Sequence, residues 1–542
     1  MNMKTKIIQY ITIIIVTVVA FSSCNDLDLA PTNKFTDANY WTSVEKADAV
    51  LNMAYSQMFN AGYFFANERL TDNIYEGRGN TDEKIITSGQ ADAALGRFAN
   101  EWKNCYEGIK TCHIFLENID LVPNMDAALK ERMIAETRFI RASLFFRLTN
   151  HYGDVPLFDY NINLQEANTI SRSPKAEVIT FVRNELNAIV NTLPKSGEYA
   201  DKDKGRITQG AVMTLLARTY LYENDWANVA SITEDIINGE YGRYELFPSY
   251  EGLFLPENEL NQEVILDMGY TLTLRTWSEM YDAIPISVGG RINAAAPTQE
   301  LVNDYIMTNG KAIHEAGSGY NEDNPYVNRD PRFGYSIVYH GYQWKKGDGS
   351  VSTIYIRPGS SDGVPGASDL DEYAGPGQNS TATGYYIRKY FDPTAPEGIA
   401  AGLNLILMRY ADILLMYAEA KNELGEMNQT VWDQTIRALR ERAGFTDAGA
   451  LNYPANGDLR EIIRRERRTE LFHEGLRLFD IRRWGTIETV MNATPTGAKF
   501  AGGNTQYIRL DQRRFNKDRD YLFAVPQSQR DINPNLTQNP GY

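Results

Sequence analysis

Arg409-Tyr410-Ala411-Asp412-Ile413-Leu414-Leu415-Met416-Tyr417-Ala418-Glu419-Ala420 opens a helix whose Tyr410, Ile413, Leu414, Tyr417 and Leu424 share one face, and Gly425 ends it. Trp432, Ile436 and Leu439 make the stripe of a second helix, closed by Ala443-Gly444. Asp458 is placed to cap a third, running through Ile462, Ile463 and Leu471. Paired helices that each carry an apolar stripe bury it only by stacking on neighbours. The fold class expected is therefore mostly α, a scaffold of helical hairpins.

Residues 208–237 repeat the arrangement. Thr208 caps a helix carrying Val212, Leu215, Leu216 and Tyr220, Asn224-Asp225 breaks it, and Trp226 to Ile237 returns antiparallel. Leu216-Ala217-x-x-Tyr220 and Ala230 resemble the close-packing positions of a tetratricopeptide hairpin. Further upstream, Ala135, Phe139, Ala142 and Phe146 form one stripe, with Glu131, Arg132, Arg138, Arg141 and Arg147 on the wet or ion-paired side. Trp102, Tyr106, Ile109, His113 and Leu116 form another, and Pro174 opens a helix that Pro194 closes. Residues 239–408 differ in texture. They are rich in Gly, Pro, Tyr and Trp, with short alternating runs such as Tyr335-Ser336-Ile337-Val338-Tyr339. They read as an irregular, loop-rich ligand-binding subdomain with minor β content, inserted between scaffold halves at 41–238 and 409–542.

The amino terminus carries an address. Lys4 and Lys6 precede an apolar run from Ile7 to Phe21, then Ser22-Ser23-Cys24. The run is short for a spanning helix of ~20 residues and reads as an export signal over 1–23. Cys24 resembles a bacterial lipobox cysteine, which would anchor the chain through several acyl groups. Residues 24–40 then form a lipidated, polar tether. Cys105 and Cys112 lie seven apart on one helix, ~10.5 Å by rise, too far for a disulfide that needs Cα atoms within ~7 Å. They are expected as free, buried thiols.

Composition removes several function classes. The 542 residues carry 54 Lys+Arg against 70 Asp+Glu, a formal charge of −16, which opposes nucleic-acid binding. Three cysteines exclude a disulfide scaffold and a Cys₄ zinc site. The five histidines, His113, His151, His314, His340 and His473, show no ligand spacing. No nucleophile elbow, phosphate loop or dinucleotide fingerprint occurs. Catalytic and metal residues are therefore expected to be none. No cofactor is expected, with an irregular structural calcium site left open by the plentiful Asp and Asn. The run Arg464-Arg465-Glu466-Arg467-Arg468 is interleaved with Glu461, Glu470 and Glu474 and predicts an internal ion network. Glu419 and Glu423 read as scaffold acids rather than a hydrolytic pair.

The 33 Tyr, 22 Phe and 7 Trp exceed what a core requires. Flat rings stack on sugar faces, while Asp, Asn and Arg satisfy hydroxyls. Three segments are candidates for such a face. Tyr63, Phe64, Asn67, Asp72, Tyr75 and Arg78 lie in what reads as a polar-aromatic loop. Trp277 and Tyr281 follow a predicted strand, and Tyr342 and Trp344 sit between Gly341 and Gly347 at a predicted loop tip.

Ordered motifs add a family resemblance. Arg409 to Ala420 with Asn422-Glu423-x-Gly425, Arg440-x-Arg442-Ala443-Gly444, and the run from Arg468 through Glu474-Gly475-x-Arg477 to Arg482-Arg483-Trp484-Gly485 resemble the SusD/RagB-like outer-membrane lipoproteins of Bacteroidetes. So do Arg138-Phe139-x-Arg141-Ala142, Tyr152-Gly153-Asp154-Val155-Pro156, Arg329-Asp330-Pro331-Arg332 and the ending Pro534-Asn535-Leu536-Thr537-Gln538-Asn539-Pro540-Gly541-Tyr542. The resemblance implies a non-enzymatic, lipid-anchored protein at the cell surface. It would capture oligo- or polysaccharide for a SusC-like TonB-dependent outer-membrane transporter. Peptide or glycopeptide capture within the same family, and a surface glycosidase, are the alternatives.

Overall fold

The computed structural model describes residues 40–395, 400–454, 456–500 and 506–542. The export signal, Cys24 and the tether up to residue 39 lie outside the described residues. The first block holds α1 (Val44–Met58), α2 (Ala61–Arg69), β1 (Ile74–Glu76), α3 (Asp82–Thr87), α4 (Gly96–Asn118), α5 (Ala127–Tyr152), α6 (Leu164–Ala167), α7 (Lys175–Ile189), α8 (Gln209–Leu221) and α9 (Trp226–Ile237). The middle region follows with β2 (Val264–Met268), β3 (Ala295–Pro297), α10 (Gln299–Asp304), α11 (Pro331–Ser336), β4 (Ile337–Val338), β5 (Tyr342–Lys345), β6 (Val351–Ile354), β7 (Tyr386–Ile387) and β8 (Leu405–Arg409). The last block holds α12 (Tyr410–Glu423), α13 (Gln429–Trp432), a π turn (Asp433–Arg437), α14 (Ala438–Ala443), α15 (Ala448–Leu451), α16 (Leu459–Glu470), α17 (Arg477–Arg483), α18 (Ile487–Val490) and α19 (Gln527–Ile532).

Local chemistry sets the helix ends. Thr208 accepts from the Ala211 N–H, Asp225 from Asn228 and Asp458 from Glu461, each occupying a donor that the first turn leaves unpaired. Gly425 and Gly444 end α12 and α14 at positive φ. The helices stack as hairpins: α4 on α5, α5 on α7, α8 on α9, and α9 on α12, so the two blocks meet directly. Leu414, Trp432, Ile436, Leu439 and Ile463 fall in one buried cluster, as their stripes require. Leu424 departs from its stripe. It caps α12 and is left exposed. Cys105 and Cys112 are buried free thiols, both pushed up to about 12 by burial.

Among the described residues the strands pair antiparallel in four two-stranded ladders, β1–β3, β2–β8, β4–β7 and β5–β6. Two ladders knit the insertion to the scaffold. The β8 strand runs straight into α12, and β1 comes from the first block. Residues 61–78 are therefore not a loop between helices, as their composition suggested. They are a helix and a strand packed into the middle region.

The arginine-rich helix α16 is an internal clamp. Arg467 pairs with Asp412 (2.5 Å) and Asp480 (2.8 Å), and Arg468 with Asp72 (2.9 Å) and Asp304 (2.6 Å). Glu466 binds Arg332 and Arg440, at 2.6 and 2.8 Å. Glu470 is shared by Arg332, Arg409 and Arg442. Burial pushes the Glu470 carboxyl up, but the Arg442, Arg409 and Arg332 guanidiniums outweigh it and hold the group well below the usual carboxylate range. Because Asp72 and Asp304 are among the partners, the clamp ties α16 to the first block and the insertion as well as to its own neighbours. Glu419 is likewise structural, bound by Arg483 (2.6 Å) and the Trp484 indole N–H.

Candidate functional site

A polar cleft of about 540 Å³ opens where α2, the starts of α3 and α4, and the 3₁₀ turn Glu279–Asp282 converge. Asn60, Tyr63 and Arg69 come from the α2 segment, Asp82 and Glu83 from α3, Arg97, Asn100 and Asn104 from α4, and Glu279 and Asp282 from the turn. Asn60 caps α2 by accepting from the Tyr63 N–H at 3.0 Å, which sets the first turn and places Tyr63 in the wall.

Tyr63 is the best-anchored ring here. Its hydroxyl accepts from Asn104 Nδ2 at 2.6 Å. Its ring lies 4.6 Å from the Arg97 guanidinium and 4.4 Å from that of Arg147. Burial, then the Glu101 charge, pushes its phenol up to about 12. Arg97 donates to Asn67 Oδ1 (2.8 Å) and pairs with Glu101 (3.6 Å) and Glu83 (3.9 Å). Burial pushes Glu101 up, but Arg147 and Arg97 bring its carboxyl down to about 2. Arg69 pairs with Glu76 at 3.2 Å, which burial nevertheless pushes up to about 7. Asp282 pairs with Arg291 at 3.1 Å.

Arg78 lies two residues beyond Glu76, the partner of the cleft residue Arg69. Its backbone N–H donates to Glu76 Oε1 at 3.1 Å, and among the described residues its guanidinium has no hydrogen-bond or ion-pair partner. Gly377 N–H donates to Gly77 O (3.2 Å) and Asn293 N–H to Asn379 O (2.9 Å), so the loops around 291–293 and 377–379 border the same edge. Carboxylates, amides and guanidinium N–H groups at a half-open cleft suit a ligand rich in hydroxyls, each of which donates once and accepts once or twice.

The expected aromatic platform is not what the fold builds. Phe64 is buried against Phe65 (5.0 Å) and Tyr390 (5.7 Å). Asn67 is buried holding Arg97. Asp72 is buried between Arg468 and Arg477, which overcome its desolvation and hold it well below its usual range. Tyr75 is buried with its hydroxyl on Asp511 (2.9 Å). Trp277 is buried, its indole N–H on Leu403 O at 2.7 Å, and Tyr281 is buried beside it in sequence. Trp344 is fully buried against Phe391 and under Arg388. A ring closed in this way has no face for a sugar, so these seven are corrected to core residues. Tyr342 stays half-buried, its hydroxyl on Gly334 O, in a β5–β6 hairpin rather than a loop tip. Of the candidates, Tyr63 alone is among the residues lining this cleft.

The polar neighbours of those rings supply the cleft instead: Asn60 and Arg69 around Tyr63, Glu279 and Asp282 around Tyr281. The half-exposed Tyr326 and Tyr339, stacked at 4.2 Å, also escaped the sequence reading, although Tyr339 ends the alternating run noted there. Among the described residues no three His, Cys, Asp or Glu side chains are gathered to hold a metal ion. No described helix is long and apolar enough to cross a membrane.

Residues 262–542, more than half the sequence, match the family model for the SusD family. The chain belongs to the SusD family. Residues 26–221 match a second model, described as starch-binding associating with outer membrane. SusD-like protein P2 of Formosa agariphila is 26% identical, covering 98% of this chain and all of that one. A SusD-like protein of Bacteroides ovatus is 26% identical over 89% of this chain and 83% of its own length. Among solved structures, a SusD-like carbohydrate-binding protein of Bacteroides fragilis superposes with a TM-score of 0.82 at 28% identity, over 92% of this chain and 100% of its own. A laminarin-binding SusD-like protein, at 21% identity and a TM-score of 0.66 over 93% of this chain and 100% of its own, shares the SusD fold.

Proposed function

We propose that this SusD-family chain is a lipid-anchored, non-catalytic glycan-binding protein of the outer-membrane surface. It captures oligo- or polysaccharide and passes it to a SusC-like TonB-dependent transporter. The observation that carries the reading is the polar cleft itself, lined by carboxylate, amide and guanidinium groups. The family match and the carbohydrate-binding description of the Bacteroides fragilis structure point the same way. Binding here rests on hydrogen bonds more than on ring stacking, since Tyr63 is enclosed by two guanidiniums. Weak single contacts of this kind gain strength when several act on one polymer.

The test is an affinity-gel or array screen of polysaccharides with the purified chain, then Glu279→Gln and Asn100→Ala on the best binder. Loss of hydrogen bonds to a charged group weakens binding by roughly tenfold or more, with unchanged thermal unfolding. Variants that bind every glycan as the parent does would remove the cleft from the reading. Release of reducing ends would overturn the absence of catalysis, and Cys24→Ala protein still fixed in the envelope would overturn the anchor.

A further inference from the structure

A pocket of about 210 Å³ opens where the connection from α7 to α8 meets residues 243–244 and the approach to β2. It shares no lining residue with the polar cleft. Its base is Asp267 on β2, only 8% exposed. Asn404 Nδ2 donates to Asp267 Oδ2 at 2.9 Å, while Oδ1 has no hydrogen-bond or ion-pair partner among the described residues. Burial, with the Glu259 charge added, outweighs the Asn404 hydrogen bond and pushes this carboxyl up to about 7. A buried carboxylate is ordinarily held by a cation. The described residues supply none here.

The unpartnered oxygen faces open space. A Cβ on Gly205 would lie 3.9 Å from Asp267 Oδ1 and 3.4 Å from Leu260 Cδ2, and Gly205, at φ +88°, places nothing there. Leu260 is 44% exposed and has φ +56°, a backbone region that bulky residues seldom occupy. Asn261 fixes the turn that holds it: Nδ2 donates to Asn258 O (2.8 Å), and Oδ1 accepts from the Glu263 N–H (2.9 Å). A glycine thus keeps the pocket open, and a leucine borders it.

The outer wall is basic. Arg206 is neutralised by Asp48, Glu136 and Asp203, and Lys204 pairs with Asp201 at 2.8 Å. Arg243 also lines the pocket and is exposed, and among the described residues its guanidinium has no hydrogen-bond or ion-pair partner. One small pocket therefore combines an unpaired carboxyl in its base with an unpaired guanidinium at its mouth.

We propose that this pocket binds a free α-amino acid as its zwitterion, the ammonium donating to Asp267 Oδ1, the carboxylate meeting Arg243, and an aliphatic side chain lying along Leu260 and Val264. The other simple ligands answer half of the site. A plain amine would pass Lys204 and Arg243 with no charge to offer them. A plain carboxylate would bring its own charge to a base that holds an acid. A neutral sugar would leave Asp267 without the cation it lacks.

The test is calorimetric titration of the full chain at pH 8, where Asp267 is ionised. It compares L-leucine with 3-methylbutylamine, which lacks the carboxylate, and with 4-methylpentanoate, which lacks the ammonium. Leucine binds about tenfold or more tighter than either, as expected for hydrogen bonds to charged groups. Asp267→Asn keeps the shape and an acceptor for Asn404, and brings leucine to the level of 4-methylpentanoate. Because it removes a buried charge that no cation meets, its thermal midpoint at pH 8 is no lower than the parent's. Arg243→Gln, at an exposed position, brings leucine to the level of 3-methylbutylamine. Absence of leucine binding to the unaltered chain, equal affinity for leucine and either analogue, or leucine affinity unchanged by either substitution overturns the proposal. None of these readouts uses a glycan or the polar cleft, so failure here leaves the glycan reading untouched.

Discussion

Replacing Trp277 by Ala separates a structural ring from a ligand platform. The indole is 4% exposed and lies 5.2 Å from Phe65. Its N–H donates to Leu403 O at 2.7 Å, and its backbone exchanges two hydrogen bonds with Ala401. The side chain therefore joins α2 to the strand that feeds α12. Truncating a buried Trp costs about 3–5 kcal/mol in lost burial and residual cavity. The freed Leu403 carbonyl adds about 1 kcal/mol if no water reaches it. Against a total stability of about 5–15 kcal/mol that is a large loss. Urea unfolding followed by circular dichroism measures it, with Trp277→Phe as the intermediate that keeps a ring and loses the N–H. Glycan affinity of the fraction still folded should fall by less than about threefold, under 1 kcal/mol. An unchanged urea midpoint together with a loss of affinity of about tenfold or more would refute the reasoning and return Trp277 to the binding face.

Other consequences can be checked as directly. Arg409→Ala removes the buried cation shared by Glu263, Glu470 and Glu474, leaving Arg442, Arg332 and Lys389 to neutralise them, and should cost about 3–5 kcal/mol; a urea-measured loss under about 1 kcal/mol would remove the clamp from the stability argument. Two sets of buried carboxyls should bend the pH–stability profile in opposite senses. On the acid side Glu101, brought down to about 2, and Asp72, Asp412 and Glu470, held still lower, contribute fully above the ordinary carboxylate range, and this is lost as pH falls through the folded values. On the other side Glu68 and Asp267, pushed up to about 7 by burial, keep protons that the unfolded chain has released, so their contribution declines between pH 4.5 and 7, while the buried His113, His151 and His473, held below the usual imidazole range by burial, contribute in the opposite sense up to about pH 6.5. Glu68→Gln should flatten that second limb, which a series of thermal melts from pH 4 to 8 reads directly. Cys105 and Cys112 should resist iodoacetamide at pH 8 in the folded chain and react once it is unfolded in urea, as mass spectrometry would show.

How far local pattern reaches is visible in particular residues. Thr208, Asp225 and Asp458 are recognisable as caps because a cap needs only a side chain and the next three residues. The stripe of the α13–α14 segment is recognisable because one period of 3.6 residues decides which side is buried, whereas α12 is buried all round from Ala411 to Ala420, which a single stripe does not show. The Arg464–Arg468 run shows that a network exists, since its acids alternate at helical spacing. It does not show that Arg468 reaches Asp72, 396 positions earlier in the chain, because that contact depends on how the two blocks meet.

The candidate site demands more than periodicity. Tyr63, Phe64 and Phe65 read as a loop would let all three rings face a ligand. As consecutive residues of α2 they point about 100° apart, so Tyr63 and an edge of the buried Phe65 border the cleft while Phe64 turns away from it. The choice of Tyr63 follows from polarity, since its hydroxyl finds Asn104 while Phe64 has nothing to offer water. The same sorting turns Trp277 and Tyr281 inward and leaves Glu279 and Asp282 at the opening. On β5 the period of two puts Tyr342 and Trp344 on one face, but local pattern leaves open which face is covered. The Phe391 and Arg388 side chains that cover Trp344 come from more than 40 positions away. Aromatic abundance thus marks the segments that converge on the site, while the groups able to hold a hydroxyl-rich ligand are the polar residues between the rings.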